Sequence, residues 1–152
     1  SAGLLIRRFR VRFSAGALYY SIKGESLLVI KIVLVEDDPT IRSLLKIFLE
    51  LDGFQVSLIE PVTDINTSLI SIEEINPEIL ITDVYLQYFS GIDLVGKIRQ
   101  NKNLGSMYII MTSGENLHQK CADTGADYFL LKPYMPDILI NILHSHFLHT
   151  SF

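Results

Sequence analysis

The sequence predicts an α/β fold, a five-stranded parallel sheet with helices on both faces. The first observation behind this prediction is order: strand-like apolar runs alternate with helical segments five times over residues 31–148. Such an alternation is typical of doubly wound sheets with right-handed crossovers. The second observation is that most of the runs are continuously apolar, as expected of strands buried on both faces.

The turn residues mark the ends of these elements. Pro39 suits the first turn of a helix, because a helix N-terminus leaves that amide hydrogen unpaired anyway. Asp52-Gly53 and Asn76-Pro77 end the first and second helices. The predicted strands are 31–35, 54–59 (at one edge of the sheet), 78–82, 107–111 and 128–131, and the predicted helices begin at Pro39, Asp64, Gly91, Glu115 and Pro136.

The composition indicates one globular domain. The chain has 152 residues, of which 49% are hydrophobic and 20% charged, and a single cysteine, Cys121. One cysteine excludes an internal disulfide and fits a reducing, cytoplasmic location. No apolar run reaches the roughly 20 residues that a membrane span requires, so we expect none.

Charge is divided unevenly along the chain. Residues 1–30 contain five Lys or Arg and one Glu, whereas the remainder contains eight Lys or Arg and 16 Asp or Glu. We therefore expect a basic N-terminal extension over 1–29, flexible or artefactual, and one domain over 30–152. Basic and apolar residues are mixed in this extension, which argues against a signal peptide. An arm for anionic partners or a membrane surface is the functional alternative.

Polar side chains follow four of the predicted strands. Glu36 and Asp37 end the first, Asp83 the third, Thr112 the fourth and Lys132 the fifth. Because the carboxyl ends of parallel strands share one edge of a sheet, we expect these side chains to converge. Three clustered carboxylates repel one another, and a donor set of oxygens without His or Cys favours Mg²⁺.

This set of groups suits phosphoryl transfer. A bound cation and Lys132 would make an electropositive cradle beside Asp83, where the protein mainly positions groups and offsets charge. Asp83 would be the nucleophile and form an acyl phosphate. Mg²⁺ and Lys132 would hold phosphoryl oxygens, and the Thr112 hydroxyl would donate to another.

At this point the chain resembles a known family, the receiver domains of bacterial two-component response regulators. The resemblance covers about residues 30–148 and rests on five motifs in order: Val33-Leu34-Val35-Glu36-Asp37-Asp38-Pro39, Ile81-Thr82-Asp83, Ser90-Gly91, Ile110-Met111-Thr112-Ser113, and Gly125-Ala126-Asp127 with Lys132-Pro133. It implies the flavodoxin-like (βα)5 fold with strand order 2-1-3-4-5.

The resemblance also implies a role for each site residue. Asp83 would be the phosphoacceptor, and Asp37 the more direct metal ligand. Glu36 would act on the metal partly through water, and the backbone carbonyl of Tyr85 would complete the protein's share of the metal shell. Thr112 would be the switch hydroxyl and Phe129 the switch aromatic, while Lys132-Pro133 would allow a cis peptide.

The expected partners follow from the same resemblance. A sensor histidine kinase or a phosphotransfer protein would donate the phosphoryl group, and a downstream protein effector would read the 115–148 face, which also offers a homodimer contact. We expect no direct nucleic-acid binding and no catalysis beyond the domain's own phosphorylation and dephosphorylation. The sequence after Lys132 is too short for an output domain, so we expect a stand-alone receiver or a fragment of a longer regulator.

Two alternatives are weighed against this hypothesis. A phosphatase with an Asp nucleophile would place it after the first strand, with a second Asp two residues on; here the third strand carries Asp83 and Tyr85 stands at the second position. A degenerate receiver that binds partners without phosphorylation is the other alternative. It draws on departures from the family pattern: Gln87 where Pro is frequent, the bulky Tyr85, and Gly114 two residues after Thr112.

Overall fold

The computed structural model describes the backbone of residues 9–14, 17–22, 27–60 and 64–149, and the side chains of residues 29–60 and 64–146. Strands β1 (Phe9–Ser14), β2 (Ala17–Ile22) and β3 (Leu27–Val29) pair as a three-stranded antiparallel sheet. The sequence predicts a flexible or artefactual extension over residues 1–29. The side chains of residues 1–28 lie outside the described residues, so this prediction stays an expectation.

The second sheet is the predicted parallel one. Its strands are β4 (Lys31–Val35), β5 (Gln55–Ile59), β6 (Ile79–Asp83), β7 (Tyr108–Ser113) and β8 (Tyr128–Leu131). They are ordered β5-β4-β6-β7-β8, and all four pairings are parallel. This is the order 2-1-3-4-5, with the second strand of the repeat at an edge, so the predicted fold class is confirmed.

Five helices connect these strands or follow them: α1 (Pro39–Leu51), α2 (Ile65–Ile75), α3 (Gly91–Gln100), α4 (His118–Thr124) and α5 (Pro136–His149). Helix α1 begins where Pro39 predicts, and the Asp38 side chain accepts hydrogen bonds from the amides of Thr40 and Ile41. An N-cap of this kind satisfies amides that the helix cannot pair. No helix in the described parts of the chain is both long and apolar enough to cross a membrane.

The start of α4 differs from the prediction. The sequence places it at Glu115, whereas the helix begins at His118. The Ser113 hydroxyl accepts from the Glu115 amide and the Asn116 side chain accepts from the His118 amide, so local turns occupy the segment instead. Short polar side chains compete with helix formation in this way.

The core lies in two clusters, one on each face of the parallel sheet. Alternate residues of each strand enter opposite clusters, because successive side chains in a strand point to opposite faces. Ile32 and Leu34 of β4 pack toward α1 and α5, while Val33 and Val35 join the cluster with α2, α3 and Cys121 of α4. The carboxyl ends of the strands are thereby held on a rigid edge.

Candidate functional site

The parallel sheet brings three of the predicted residues into direct contact. Lys132 Nζ donates to Asp83 Oδ2 at 2.9 Å and to Glu36 Oε2 at 3.0 Å. Asp83 is the last residue of β6, Glu36 directly follows β4 and Lys132 directly follows β8. The contact therefore joins three strands at their carboxyl edge. The Glu36 side chain is only 5% exposed and that of Asp83 14%, so the ammonium bridges two largely buried carboxylates.

The electrostatics of the bridge keep Lys132 charged. Burial alone would lower the pKa of the Lys132 ammonium, but its hydrogen bonds to Asp83 and Glu36, together with their negative charge, outweigh burial and raise that pKa. Opposite charges and hydrogen bonds to the charged form act in this direction. Lys132 therefore presents a positive charge to the Asp83 carboxylate.

The three consecutive acidic residues 36–38 make different contacts. Glu36 points inward to Lys132, and its other oxygen accepts from the Asp38 amide at 3.1 Å. Asp37 accepts from the backbone amide of Gln87, which ties it to the loop after β6. Asp38 caps α1. The structure thus places Glu36 on the same ammonium as Asp83 and ties Asp37 to the loop that follows β6.

The donor set fits a magnesium ion. Glu36 and Asp83 both lie within 3.0 Å of one ammonium nitrogen, so their carboxylates are close neighbours. Over residues 29–60 and 64–146, no three His, Cys, Asp or Glu side chains form a ready-made metal cage. Mg²⁺ needs no such cage, since it is commonly held by one or two carboxylates and keeps several waters.

Thr112 lies beside Asp83 because of strand register. Asp83 of β6 pairs with Thr112 of β7, and the Val84 amide donates to the Thr112 carbonyl at 2.9 Å. Thr112 is 2% exposed. The sheet, rather than a loop, therefore sets the separation between these two backbones.

Phe129 occupies the neighbouring strand. The register pairs Thr112 with Leu130 and Met111 with Phe129, so Phe129 is one step from Thr112 along β8. Its half-buried ring packs against the cluster beneath α3 and α4 and meets the His118 ring edge-on, with centroids 6.2 Å apart. This contact links the predicted switch aromatic to the first residue of α4.

The loop between β6 and α3 is tightly closed. Tyr85 and Ser90 form an isolated antiparallel bridge, and the Gly91 amide donates to the Val84 carbonyl at 2.8 Å. The Ser90 hydroxyl caps α3 by accepting from the Ile92 amide. The loop therefore returns the chain directly beside Asp83, which explains the Ser90-Gly91 motif.

Three features around this edge were not predicted from the sequence, although Tyr85 and Gln87 themselves were noted there. Tyr85 Oη donates to Glu115 Oε2 at 3.0 Å, and this hydrogen bond is the leading cause of a raised Tyr85 pKa. Tyr134 follows Lys132-Pro133, whose peptide is cis, and burial raises the pKa of Tyr134 to about 12. The third feature is the hydrogen bond that the Gln87 amide donates to Asp37. None has a local signal, since each depends on how distant segments meet.

Comparison with known proteins agrees with this geometry. Residues 32–144 match the family model described as the response regulator receiver domain. The response regulator protein GraR of Staphylococcus epidermidis is 33% identical over 110 residues, which cover 72% of this chain and 48% of that protein. The chain spans about half the length of the curated relatives it matches.

Solved structures share the fold. The chemotaxis response regulator CheY4 of Vibrio cholerae has a TM-score of 0.70 at 23% identity, covering 78% of this chain and 98% of that one. The receiver domain of sensor histidine kinase PA1611 from Pseudomonas aeruginosa PAO1, solved with a magnesium ion in its active site cleft, has a TM-score of 0.67 at 24% identity and covers 78% of this chain and 97% of that one.

Proposed function

The chain belongs to the response regulator receiver family, and from this premise we propose that it is the phosphoacceptor module of a two-component system, with Asp83 as the phosphorylated residue. The observation that carries the proposal is the Lys132 ammonium shared between Asp83 and Glu36. A lysine held there stabilises negative charge where a phosphoryl group would arrive.

The reaction follows from these side chains. An oxygen of Asp83 attacks the phosphorus of the donor, the new O–P bond forms as the donor's P–N bond breaks, and the leaving imidazole takes up a proton from solvent. Lys132 exchanges part of its contact with Asp83 for a phosphoryl oxygen. Thr112, the register partner of Asp83 on β7, donates its hydroxyl to another phosphoryl oxygen.

Glu36, Asp37, Asp83 and the Tyr85 carbonyl are the residues that would hold Mg²⁺. When bound, the ion supplies positive charge that offsets the negative charge of the transferring group. The Gln87 amide orients Asp37 toward the loop that carries Tyr85, which brings these donors to one side of the site.

The output follows from the added charge of about −1.5 to −2 on Asp83. Thr112 moves toward the phosphoryl group, and Phe129 rotates into the space that Thr112 leaves. Because Phe129 contacts His118, this rotation alters the 115–148 face. A protein effector, or a second copy of the chain, binds one state of that face in preference to the other.

The proposed donor is a sensor histidine kinase or a phosphotransfer protein, and we propose a cytoplasmic setting without direct nucleic-acid contact by this domain. No observation favours a degenerate receiver: all five site residues are present, and Lys132 contacts Asp83 as phosphoryl transfer requires. The domain's only catalysis in this proposal is on its own aspartyl phosphate.

The test is incubation with Mg²⁺ and acetyl phosphate followed by intact-mass spectrometry. We expect a gain of one phosphoryl group in the wild-type chain, none in Asp83→Asn, and a strongly reduced yield in Lys132→Ala. Phosphorylation that persists in Asp83→Asn would place the acceptor elsewhere. A wild-type chain that gains no phosphoryl group from either acetyl phosphate or a phosphorylated histidine donor would reject the proposal.

A further inference from the structure

The side chain of Asp37 is held by a segment outside its own strand. One carboxylate oxygen, Oδ2, accepts a hydrogen bond from the backbone amide of Gln87. Asp37 follows β4 after one residue, whereas Gln87 lies in the loop between β6 and α3. The two residues stand 50 positions apart in the sequence, and they meet because β4 and β6 are neighbours in the parallel sheet.

This contact fixes a side chain between two segments that are already fixed. Asp37 stands between Glu36 and Asp38, whose side chains are both hydrogen-bonded. The loop that contains Gln87 is closed by a β-bridge between its two ends. A donor on an ordered loop restricts the rotamers of the Asp37 side chain. A ligand that is ordered beforehand loses less conformational entropy when it binds a cation.

The hydrogen bond leaves Asp37 able to bind a metal ion. A carboxylate has two oxygens with about four lone-pair sites, so Oδ1 stays available while Oδ2 accepts from the amide. Carboxylates that ligate metals are commonly hydrogen-bonded in turn, and those bonds orient the ligand. Gln87 also lies two residues after Tyr85, whose carbonyl is another donor of the proposed site. The amide therefore fixes Asp37 relative to the loop that carries a second ligand.

The identity of residue 87 decides whether this donor exists. Proline is frequent at this position in the family pattern, and proline has no amide hydrogen. This chain has Gln87 and therefore has the donor. The φ angle of Gln87 is not positive, because Asn76 is the only non-glycine residue with a positive φ in the part of the chain that the structure describes. Gln87→Pro thus removes the donor without requiring a left-handed backbone.

We propose that the backbone amide of Gln87 is a positioning group for the metal site: it orients Asp37 for Mg²⁺ and so raises the affinity of the site for the cation. This inference rests on the proposed function, in which Asp37 is a metal ligand. The amide contacts Asp37 and not the reacting atoms. Its loss therefore weakens Mg²⁺ binding and leaves the rate of phosphorylation at saturating Mg²⁺ close to that of the wild-type chain.

Three variants separate the amide from the side chain. Gln87→Pro removes the amide hydrogen. Gln87→Ala keeps that hydrogen and removes only the glutamine side chain, so it should lie closer to the wild-type chain than Gln87→Pro does. Asp37→Ala removes the acceptor. In the Asp37→Ala background no bond is left to break, so adding Gln87→Pro should change the affinity for Mg²⁺ by less than about twofold.

The first measurement is the dissociation constant of Mg²⁺ for the unphosphorylated chain, by NMR titration of backbone amides. We expect Gln87→Pro to raise this constant about tenfold, the lower end of the range for hydrogen bonds to metal ligands. The second measurement is the rate of phosphorylation by acetyl phosphate as the Mg²⁺ concentration is varied. The half-saturating concentration should rise by the same factor, while the rate at saturation changes by less than about twofold.

A third readout reports the hydrogen bond itself and needs no metal. The amide proton of Gln87 should move upfield in Asp37→Ala, because a carboxylate acceptor deshields the proton that it binds. If Gln87→Pro does not fold, an ester in place of the amide between residues 86 and 87 removes the same hydrogen and replaces the proline variant in every comparison.

Three results would overturn the positioning role while leaving phosphorylation of Asp83 intact. They are an unchanged dissociation constant in Gln87→Pro, an equal change in Gln87→Ala, and an undiminished effect of Gln87→Pro in the Asp37→Ala background. A wild-type chain that shows the expected differences in Mg²⁺ binding but accepts no phosphoryl group would instead reject the proposed function and leave the orientation of Asp37 standing.

Discussion

At the scale of single residues, position 91 shows how closely the start of α3 approaches the backbone of Asp83. A Cβ at Gly91 would lie 2.0 Å from the carbonyl oxygen of Asp83. Real atoms do not approach so closely, so any side chain here displaces either the start of α3 or the backbone of Asp83. The requirement for glycine is therefore steric, set by the return of the loop to β6.

Gly91→Ala should destabilise the domain by about 1–3 kcal/mol, since relieving the overlap requires a backbone shift, and it should also slow phosphorylation of Asp83. The control is in the same helix. A Cβ at Gly96 would meet only Thr124 Cγ2 at 3.9 Å, so Gly96→Ala should stabilise by about 0.5–1 kcal/mol through helix propensity. Urea unfolding measures the free energy of unfolding of both variants. Equal changes in the two variants would contradict the steric explanation.

Tyr134 makes stability depend on alkaline pH. Burial raises its pKa from the ordinary value of 10.0 to about 12, with Lys132 opposing and Glu36 and Asp83 adding to the shift. Between these values the unfolded chain loses the proton and the folded chain keeps it. This contribution to stability is therefore complete below pH 10 and is lost as pH rises toward 12.

We expect Tyr134 to account for a loss of roughly 1–3 kcal/mol in the free energy of unfolding over that window. Tyr134→Phe cannot ionise, so its stability should fall less steeply over the same range. Denaturant unfolding at pH 9, 10 and 11 measures both slopes. Parallel curves for the two proteins would show that the Tyr134 proton does not contribute.

At the scale of elements, Arg99 of α3 joins the start of β7 to the end of α4. Its guanidinium donates to the carbonyls of Gly105, Met107 and Gly125 at 2.7–2.8 Å, and to Asp127 Oδ2 at 2.8 Å. The side chain is 22% exposed. One planar group thus satisfies three carbonyls from two connecting segments, which a lysine cannot do with a single nitrogen.

Arg99→Met should lower the free energy of unfolding by about 2–4 kcal/mol, because it leaves half-buried carbonyls unpaired. Lys97→Met, an exposed position on the same helix, should change it by less than about 0.5 kcal/mol. Thermal and denaturant unfolding provide the comparison. A small effect at Arg99 would mean that water replaces the guanidinium without cost.

At the scale of the whole molecule, Ile30 is the first residue of the described core of the parallel sheet. This residue is 3% exposed, packs in the cluster with Phe54, and its carbonyl accepts from the Gln55 amide at 2.9 Å. The family match begins two residues later, at residue 32. Among the residues whose side chains the structure describes, the core and the site residues lie from this point onward.

A chain beginning at Val29 should therefore keep its stability within about 0.5 kcal/mol and accept a phosphoryl group as the full chain does. Ile30→Ala in that shorter chain should cost about 2–5 kcal/mol, as expected of a large-to-small change in a core. Circular dichroism with denaturant and the acetyl phosphate assay test both points. A shorter chain that fails to fold would make residues 1–28 an integral part of the domain.

The sequence was sufficient to predict the fold and the contact among Glu36, Asp83 and Lys132, and the reason is topological. Parallel strands place residues 36, 83 and 132 on one edge whatever their sequence separation, so strand ends alone locate Asp83 and Lys132. The start of α4 was predicted wrongly, because Ser113 and Asn116 form turns that compete with the helix. The Tyr85–Glu115 and Asp37–Gln87 contacts had no signal, since each depends on loop geometry that no period encodes.

The pairing of Asp83 with Thr112 has a consequence for how such a module diverges. Strand register changes only in whole steps, and a one-residue slip would turn every side chain of β6 to the other face. The spacing between Asp83 and Thr112 is therefore set by the sheet and resists gradual change. The loops that follow β6 and β7 are not constrained by strand register, so single substitutions can change them one position at a time. They carry Tyr85, Gln87, Gly114 and Glu115. Single substitutions can therefore change the loops around Asp83 while its spacing from Thr112 stays fixed.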